Sequence, residues 1–427
     1  MLARFIEDKM ASKLDPKFVR RGLILVFITL LLDIIGIAII VPIMPQYLSE
    51  LTGDSISGAS IDGSYLFIAY AAMQFLFAPF IGNLSDRFGR RPILLVSIIT
   101  FALDNLICAI AWSFSMLFVG RILAGISGAS FSTCSAYIAD ISDDTNRTRN
   151  FGLIGIAFGV GFVMGPFIGG LLGEFSPRLP FYVAAGLSFV NFIFAYFFLP
   201  ETLSKRNRRR FSLLKANPFG ALLHLRQYPS VLWVCVAFFL YWLSQTVWPV
   251  TWAFIAKERY SWSEFSIGLS FGVFGLGQIV VMGLILPYLA KKWSDWRISM
   301  TGITFALISL LGYSFSSQGW MIFGVFGLTF LEYLANAPMR AIAAARVPAN
   351  EQGHLQGALT SLTSLTSIIG PLFYAKIFQI FTQDNAPISF AGAPFLLAFF
   401  IMLLCWFVFL FKVKNNVKPS KLHHVEL

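Results

Sequence analysis

The sequence predicts an all-α membrane protein of twelve transmembrane helices, arranged as two pseudo-symmetric six-helix bundles. Three observations carry this. The apolar residues fall in long runs, the basic residues keep to one side of those runs, and short strings recur between the two halves at nearly one offset.

The runs come first. Of 427 residues, 57% are hydrophobic and 12% charged, with a mean hydropathy of +0.74. A soluble domain carries charge at roughly a quarter of its positions, so most of this surface faces something other than water. A helix needs about 20 apolar residues to cross a hydrocarbon core of about 30 Å. Runs of that order occupy 22–48, 61–83, 92–112, 115–138, 152–173 and 180–200, then 231–256, 264–289, 298–316, 318–338, 355–380 and 388–411. The division is therefore a first bundle at 1–200, a basic linker at 201–230 and a second bundle at 231–427. The first 21 residues are mostly polar and charged, and the run that follows is too long for the apolar core of a cleavable signal peptide, so it is expected to stay as an anchor.

The net charge is +11, and its placement decides its meaning. Basic residues cluster at Arg4, Lys9, Lys13, Lys17, Arg20 and Arg21, in the linker at Lys205, Arg206, Arg208, Arg209 and Arg210, and at Lys412, Lys414, Lys418 and Lys421. All flank apolar runs, so they read as topology signals rather than a nucleic-acid surface. With an even number of spans, only Arg178, Lys257, Arg259 and Lys376 fall on the side away from the termini, and Arg121 lies inside a span. That bias places both termini and the linker in the cytoplasm of a cell whose inner membrane holds the chain.

The third observation is the repeat. ITFAL occurs at 99–103 and at 303–307, and Gly165-Pro166 in the fifth span recurs as Gly370-Pro371 in the eleventh, at offsets of 204 and 205. A duplicated six-span unit follows, and carriers built this way place their substrate between the repeats.

Cys108, Cys134, Cys235 and Cys405 all sit in apolar runs without a CxxC pair, while His224, His354, His423 and His424 lie in the linker, at a span end and in the tail. Neither a disulfide nor a metal site is expected. No GxxxxGK[ST] loop occurs, so no cofactor and no ATP are implied.

Asp33, Asp104, Arg121 and Glu332 fall well inside spans. Facing lipid unpaired, each costs about 2.5–3.5 kcal/mol, on the order of 10 kcal/mol together, comparable to a whole protein's net stability. They are expected to face the bundle interior, a water-filled cavity or one another. The functional reading is proton coupling tuned by Arg121: carboxylates respond to desolvation and to a nearby guanidinium in opposite senses, so their proton affinity switches with conformation. The bland reading is an inert interhelical ion pair. Gln74, Gln245, Thr246, Gln278 and Asn336 add polar groups inside spans, either as substrate contacts or as interhelical glue. Asn336 follows Glu332 by four residues and shares its helix face. In the seventh span, Tyr241, Trp242, Trp248 and Trp252 could stack on a planar substrate or belong to the interfacial belt; Trp252, near the span end, suits the belt, while Tyr241 and Trp242 lie deeper.

Between the second and third spans the chain reads Gly82-Asn83-Leu84-Ser85-Asp86-Arg87-Phe88-Gly89-Arg90-Arg91-Pro92. Glycines here permit a tight turn, and Asp86 can cap a helix or pair with a loop arginine. The spacing closely resembles the GxLaDrxGrkxxl signature of the major facilitator superfamily. Asp33-Ile34-Ile35-Gly36 with Pro42 and Pro45 resembles the first-span motif of its drug/proton antiporters. Arg121-Ile122-Leu123-Ala124-Gly125, followed by Asp140, resembles the RxxxG motif. The run from Gly161 through Gly165, Pro166, Gly169 and Gly170 resembles the antiporter motif GxxxGPxxGG. The strings LLDIIGI, FAPFIGNLSDRFGRRPILL and HLQGALTSLTSLTSIIGP are most similar to the tetracycline/proton antiporter branch.

The resemblance implies proton or substrate coupling at Asp33, Gln74 and Asp104. It implies a conformational switch built on Arg121, the signature loop (Gly82, Asp86, Arg87, Gly89, Arg90, Arg91) and Asp140 paired to loop arginines. The second half departs from the branch: Ala306 stands where it has an essential Asp, and Gln278 where it has a His. Glu332 and Asn336 have no counterpart, so Glu332 becomes the candidate for a relocated proton site. The expected protein is a monomeric carrier, not an enzyme, whose partners are membrane lipid, protons and a small amphipathic substrate. Siderophore or metabolite export, nutrient uptake, a channel and a non-transporting sensor or assembly protein are the rivals. The fifth-span motif speaks against uptake, the absence of a repeated pore loop against a channel, and the costly interior charges against a sensor.

Overall fold

The computed structural model describes residues 16–128, 131–142, 147–204, 208, 229–348, 352–383, 386 and 388–413. Most of the basic linker, the outermost basic residues of both termini and His224, His423 and His424 lie outside the described residues. Among the described residues there is no strand. Twelve helices are long and apolar enough to cross a membrane: α1 Val19–Ala38, α2 Ile56–Phe88, α3 Arg90–Ala109, α4 Phe114–Asp140, α5 Asn150–Gly173, α6 Leu179–Phe198, α7 Val231–Tyr260, α8 Glu264–Ala290, α9 Asp295–Phe315, α10 Gly319–Ala344, α11 Leu355–Thr382 and α12 Ala393–Lys412.

Local chemistry fixes several ends. Ser55, Ser263 and Ser294 cap α2, α8 and α9, each hydroxyl accepting the backbone N–H three residues on. Gly89, at φ 108°, separates α2 from α3 in a conformation closed to other residues. The first predicted span, 22–48, is broken: α1 stops at Ala38, a bend follows, and a short helix resumes at Met44–Thr52 with Pro45 in its first turn.

The repeat is visible in three dimensions. ITFAL lies in α3 and again in α9, and the Gly-Pro pairs lie in α5 and α11, the third and fifth helices of each half. Glycines of α5 let two neighbours close in: a Cβ at Gly165 would sit 2.7 Å from the Ala38 Cβ, and one at Gly169 would run into the Ile39 carbonyl of the α1 end. Gly170 abuts Glu264 and Gly268 of α8.

The described contacts between halves gather on the side away from the termini. Residues 163–174 of α5 and its end meet 264–275 of α8, Ser57 of α2 meets Thr382 of α11, and Gly63 meets Phe254. Toward the terminus side, Gly152, Gly155 and Gly159 of α5 and Gly283 of α8 have no foreign atom within 4 Å of a would-be Cβ. Among the described residues, the halves thus meet at the far side and stand parted along these stretches of α5 and α8 toward the terminus side.

Candidate functional site

Four residues singled out in the first half converge. The Asp104 carboxylate is 0% exposed and lies 3.6 Å from Arg121 Nη2, with Ser127 Oγ donating to its Oδ2 at 3.4 Å. Asp104 Oδ1 has no hydrogen bond, and neither does Arg121 Nε. Arg121 also donates to Cys108 Sγ at 3.2 Å and lies over the Phe181 ring. Beside them, the Tyr70 hydroxyl feels the fields of Asp33, Asp104 and Arg121, and accepts from Gln74 Nε2 at 3.1 Å. Gln74 also donates to the Gly128 carbonyl, and Gly125 and Gly128 bring α4 against the Tyr70 turn. Tyr70 is the member that sequence reasoning missed; it lies one turn before Gln74 on the same face.

The second half holds a separate cluster. Glu332 is 1% exposed, and its Oε1 accepts from Gln245 Nε2 at 3.1 Å. The same amide nitrogen donates to the Tyr241 hydroxyl at 3.3 Å. Asn336 accepts from Arg340, which also reaches Gln356 of α11 and lies over the Phe238 ring. The Gln278 side chain is half-buried and makes no hydrogen bond among the described residues, while its carbonyl accepts the Val281 N–H. Trp242 is half-buried, its indole N–H without a partner.

Trp252 is not an interfacial residue. It is 2% exposed, donates from Nε1 to Ser270 Oγ at 2.9 Å, and packs with Trp248, Tyr313 and Phe395. Aromatic neighbours on three helices take up the faces of Trp248 and Trp252, leaving Tyr241 and Trp242 as the seventh-span aromatics nearest the polar cluster. The four cysteines are buried and free.

The signature loop is a network centred on Arg90, which is 8% exposed. It donates to Asp86 Oδ1, to Ser85 Oγ at 2.7 Å and, from Nε, to Asp140 Oδ2 at 3.1 Å. Thr202 Oγ1 also donates to Asp140, at 3.0 Å. Glu201 was not foreseen: its carboxylate accepts the backbone N–H groups of Arg90, Arg91 and Leu203, capping the start of α3 from the end of α6. Its only sequence signal is an acid at a span end beside a basic loop. Arg91 donates to the Tyr196 carbonyl, and Arg87 is exposed over Phe88. In this conformation a Cβ at Gly82 would make only ordinary contact, 3.6 Å from Ser132 Oγ.

On the far side, Glu174 at the end of α5 reaches across to α8 and accepts the Phe265 N–H at 2.9 Å. Hydrogen bonds from Ser263 and from that N–H, with Lys257 nearby, hold its carboxyl below the usual carboxylate range. Lys257 pairs with Glu264 at 2.7 Å next to it.

Residues 26–371 match the Major Facilitator Superfamily. The chain belongs to that superfamily. It is 37% identical over 358 residues to the class C tetracycline resistance protein of Escherichia coli, covering 84% of this chain and 89% of that one. It is 26% identical over 377 residues to multidrug resistance protein 2 of Bacillus subtilis, covering 86% and 92%. Among solved structures, a bacterial homolog of the human lysosomal transporter Spinster, inward-facing and occupied, aligns with a TM-score of 0.75 at 14% identity over 93% of this chain and 97% of that one.

Proposed function

We propose that this chain is a carrier that exports a small amphipathic molecule of the tetracycline type in exchange for protons, by alternating access between its two halves. The relatives named for tetracycline resistance give the substrate class. The observation that carries the coupling is the Asp104–Arg121 pair. A buried ion pair adds little net stability, and this one is loose at 3.6 Å, with an unbonded carboxylate oxygen, beside Asp33, Tyr70 and Gln74. Such a pair can give up its charge match when Asp104 takes a proton, and reform it when the proton leaves.

On this reading residues 1–200 and 231–427 rock as two units joined by the basic linker. The termini face the cytoplasm of the inner membrane, by the bias of positive charge. The parted side is then the cytoplasmic one, and substrate enters there toward Gln74, Tyr241, Trp242, Gln278 and Asn336. The loop network of Asp86, Arg90, Asp140 and Glu201 and the glycines of α5 govern the change of state. The carrier works as a monomer and performs no covalent chemistry.

The test is tetracycline accumulation in an efflux-deficient host, with and without a protonophore. Expression should lower accumulation, and the protonophore should restore it. Export undiminished without the gradient overturns proton coupling. Export of iron chelators but not of tetracycline replaces the substrate.

A further inference from the structure

The second half contains a buried pair whose hydrogen bonds do not close. Glu332 sits where α10 tightens from an α-helix into the 3-10 turn Leu331–Leu334. Gln245 sits where α7 breaks, its first segment ending at Gln245 and its second starting at Val247. Interrupted helices near a carrier's midplane are where its ion and substrate sites lie. The two breaks are joined by the Gln245 Nε2 to Glu332 Oε1 hydrogen bond of 3.1 Å.

Gln245 has two amide hydrogens, and both are used, on Glu332 and on the Tyr241 hydroxyl. With the amide so placed, Gln245 Oε1 is left buried without a partner. Glu332 Oε2 is likewise buried without a partner. Two unpartnered acceptors thus belong to two side chains already in contact. Among the described residues no cation lies within 4.0 Å of Glu332 to balance a carboxylate. The titratable groups facing it are neutral phenols: Tyr241 of α7, Tyr313 of α9 and Tyr333 of α10. Arg340 lies eight residues along α10, about 12 Å at 1.5 Å per residue, and is held by Asn336 and Gln356.

We infer that Glu332 and Gln245 form an acid–amide pair that holds one proton, a second proton site seated wholly in the second half. A proton on Glu332 Oε2 donates to Gln245 Oε1 while Gln245 Nε2 donates to Glu332 Oε1. The pair then closes as a ring of two hydrogen bonds, and both unpartnered acceptors are satisfied. The proton forms an O–H bond at Oε2, taken from water when the far side is open, and returns to water on the terminus side; nothing else is transferred. Because the ring bridges the breaks in α7 and α10, losing the proton frees the two helix segments to shift against each other. The inference rests on the proton-driven export reading for its role in transport. It adds that a cycle moves a proton here besides the one handled by Asp33, Asp104 and Arg121.

Two measurements separate the pair from that reading. Infrared difference spectra of the purified full-length protein, taken on pH steps without substrate, should show a protonated-carboxyl C=O band that Glu332→Gln removes. Gln245→Leu should keep the band and move it to higher frequency, as the acid loses its amide acceptor. Both variants are checked for folding by size-exclusion profile and melting temperature. In proteoliposomes with tetracycline as probe, Glu332→Gln should lower the protons exchanged per drug by one. No Glu332-dependent band at any pH, or a band unmoved by Gln245→Leu, overturns the pair. A normal band with an unchanged proton count in Glu332→Gln overturns its place in the cycle. Absence of any coupled exchange in the unmodified protein would sink the export reading while leaving the infrared result to stand on its own.

Discussion

Glu174→Ala removes a carboxylate that bridges the halves only while the far side is closed. Its Oε1 caps the start of α8 through the Phe265 N–H at 2.9 Å, and Ser263 donates to it as well. An anion at a helix N-terminus contributes about 0.3–1 kcal/mol at an exposed site, and a hydrogen bond to a charged group adds to this before solvent screening. Taking about 1 kcal/mol for the exposed latch, its loss shifts the closed-to-open ratio of the far side by about five-fold. Spin-label distances between the far ends of α5 and α8 should show the population with parted ends growing in Glu174→Ala, with Glu174→Asp between the two. The pH dependence has a definite sign. The latched carboxyl is held below the ordinary carboxylate value, so its contribution is full above that value, about 4.3, and is lost as pH falls through the lowered one. Acidifying the far side into that range should therefore loosen the unmodified latch and leave Glu174→Ala unaffected. A distance distribution identical in both proteins at every pH would refute the reasoning.

Asp104→Asn leaves Arg121 buried without its counter-charge, which costs about 3–5 kcal/mol; detergent-solubilised melting should fall and drug-driven proton release should vanish. An unchanged melting curve would mean that Arg121 finds another partner. Asp33→Asn should abolish transport at normal expression, and an active mutant removes Asp33 from the coupling. Gly169→Val drives side-chain atoms into the Ile39 carbonyl; overpacking of this kind costs about 1–3 kcal/mol, read as lost stability together with slowed exchange. Asp86→Ala should cost under about 1 kcal/mol, since its ion pair is partly exposed and Arg90 keeps Ser85 and Asp140. Its effect should fall on exchange rate rather than on drug affinity, and weakened binding at normal exchange would take the loop out of the switch.

Apolar runs were enough to find the twelve helices long and apolar enough to cross a membrane, because length and composition decide what crosses one. They said nothing of where a helix changes its turn. The bend after Ala38, the break before Val247 and the 3-10 turn at Leu331 all lie inside runs that hydropathy reads as continuous. In the first half, Asp33 and Arg121 were legible as candidates because they sit in local motifs with known spacing, whereas no such motif contains Tyr70, Gln74 or Asp104. The Gln245–Glu332 contact joins positions 87 apart in the chain, and no local pattern marks it. Trp252 was placed in the interfacial belt from its distance to the span end, yet Ser270, Tyr313 and Phe395 bury it. Tertiary neighbours, which periodicity cannot supply, decide whether a tryptophan meets lipid or core. Glu201 and Glu174 carry little local signal for the same reason: each acts by capping a helix that starts elsewhere in the chain.

Proton-driven export is tested most directly in proteoliposomes containing only this protein, preloaded with tetracycline as probe, with a pH difference imposed across the membrane. Movement of the drug should follow the imposed gradient, reverse when the gradient is reversed, and collapse on adding a protonophore, with protons appearing on the opposite side in proportion. Drug movement indifferent to the sign of the gradient would contradict the coupling at its root.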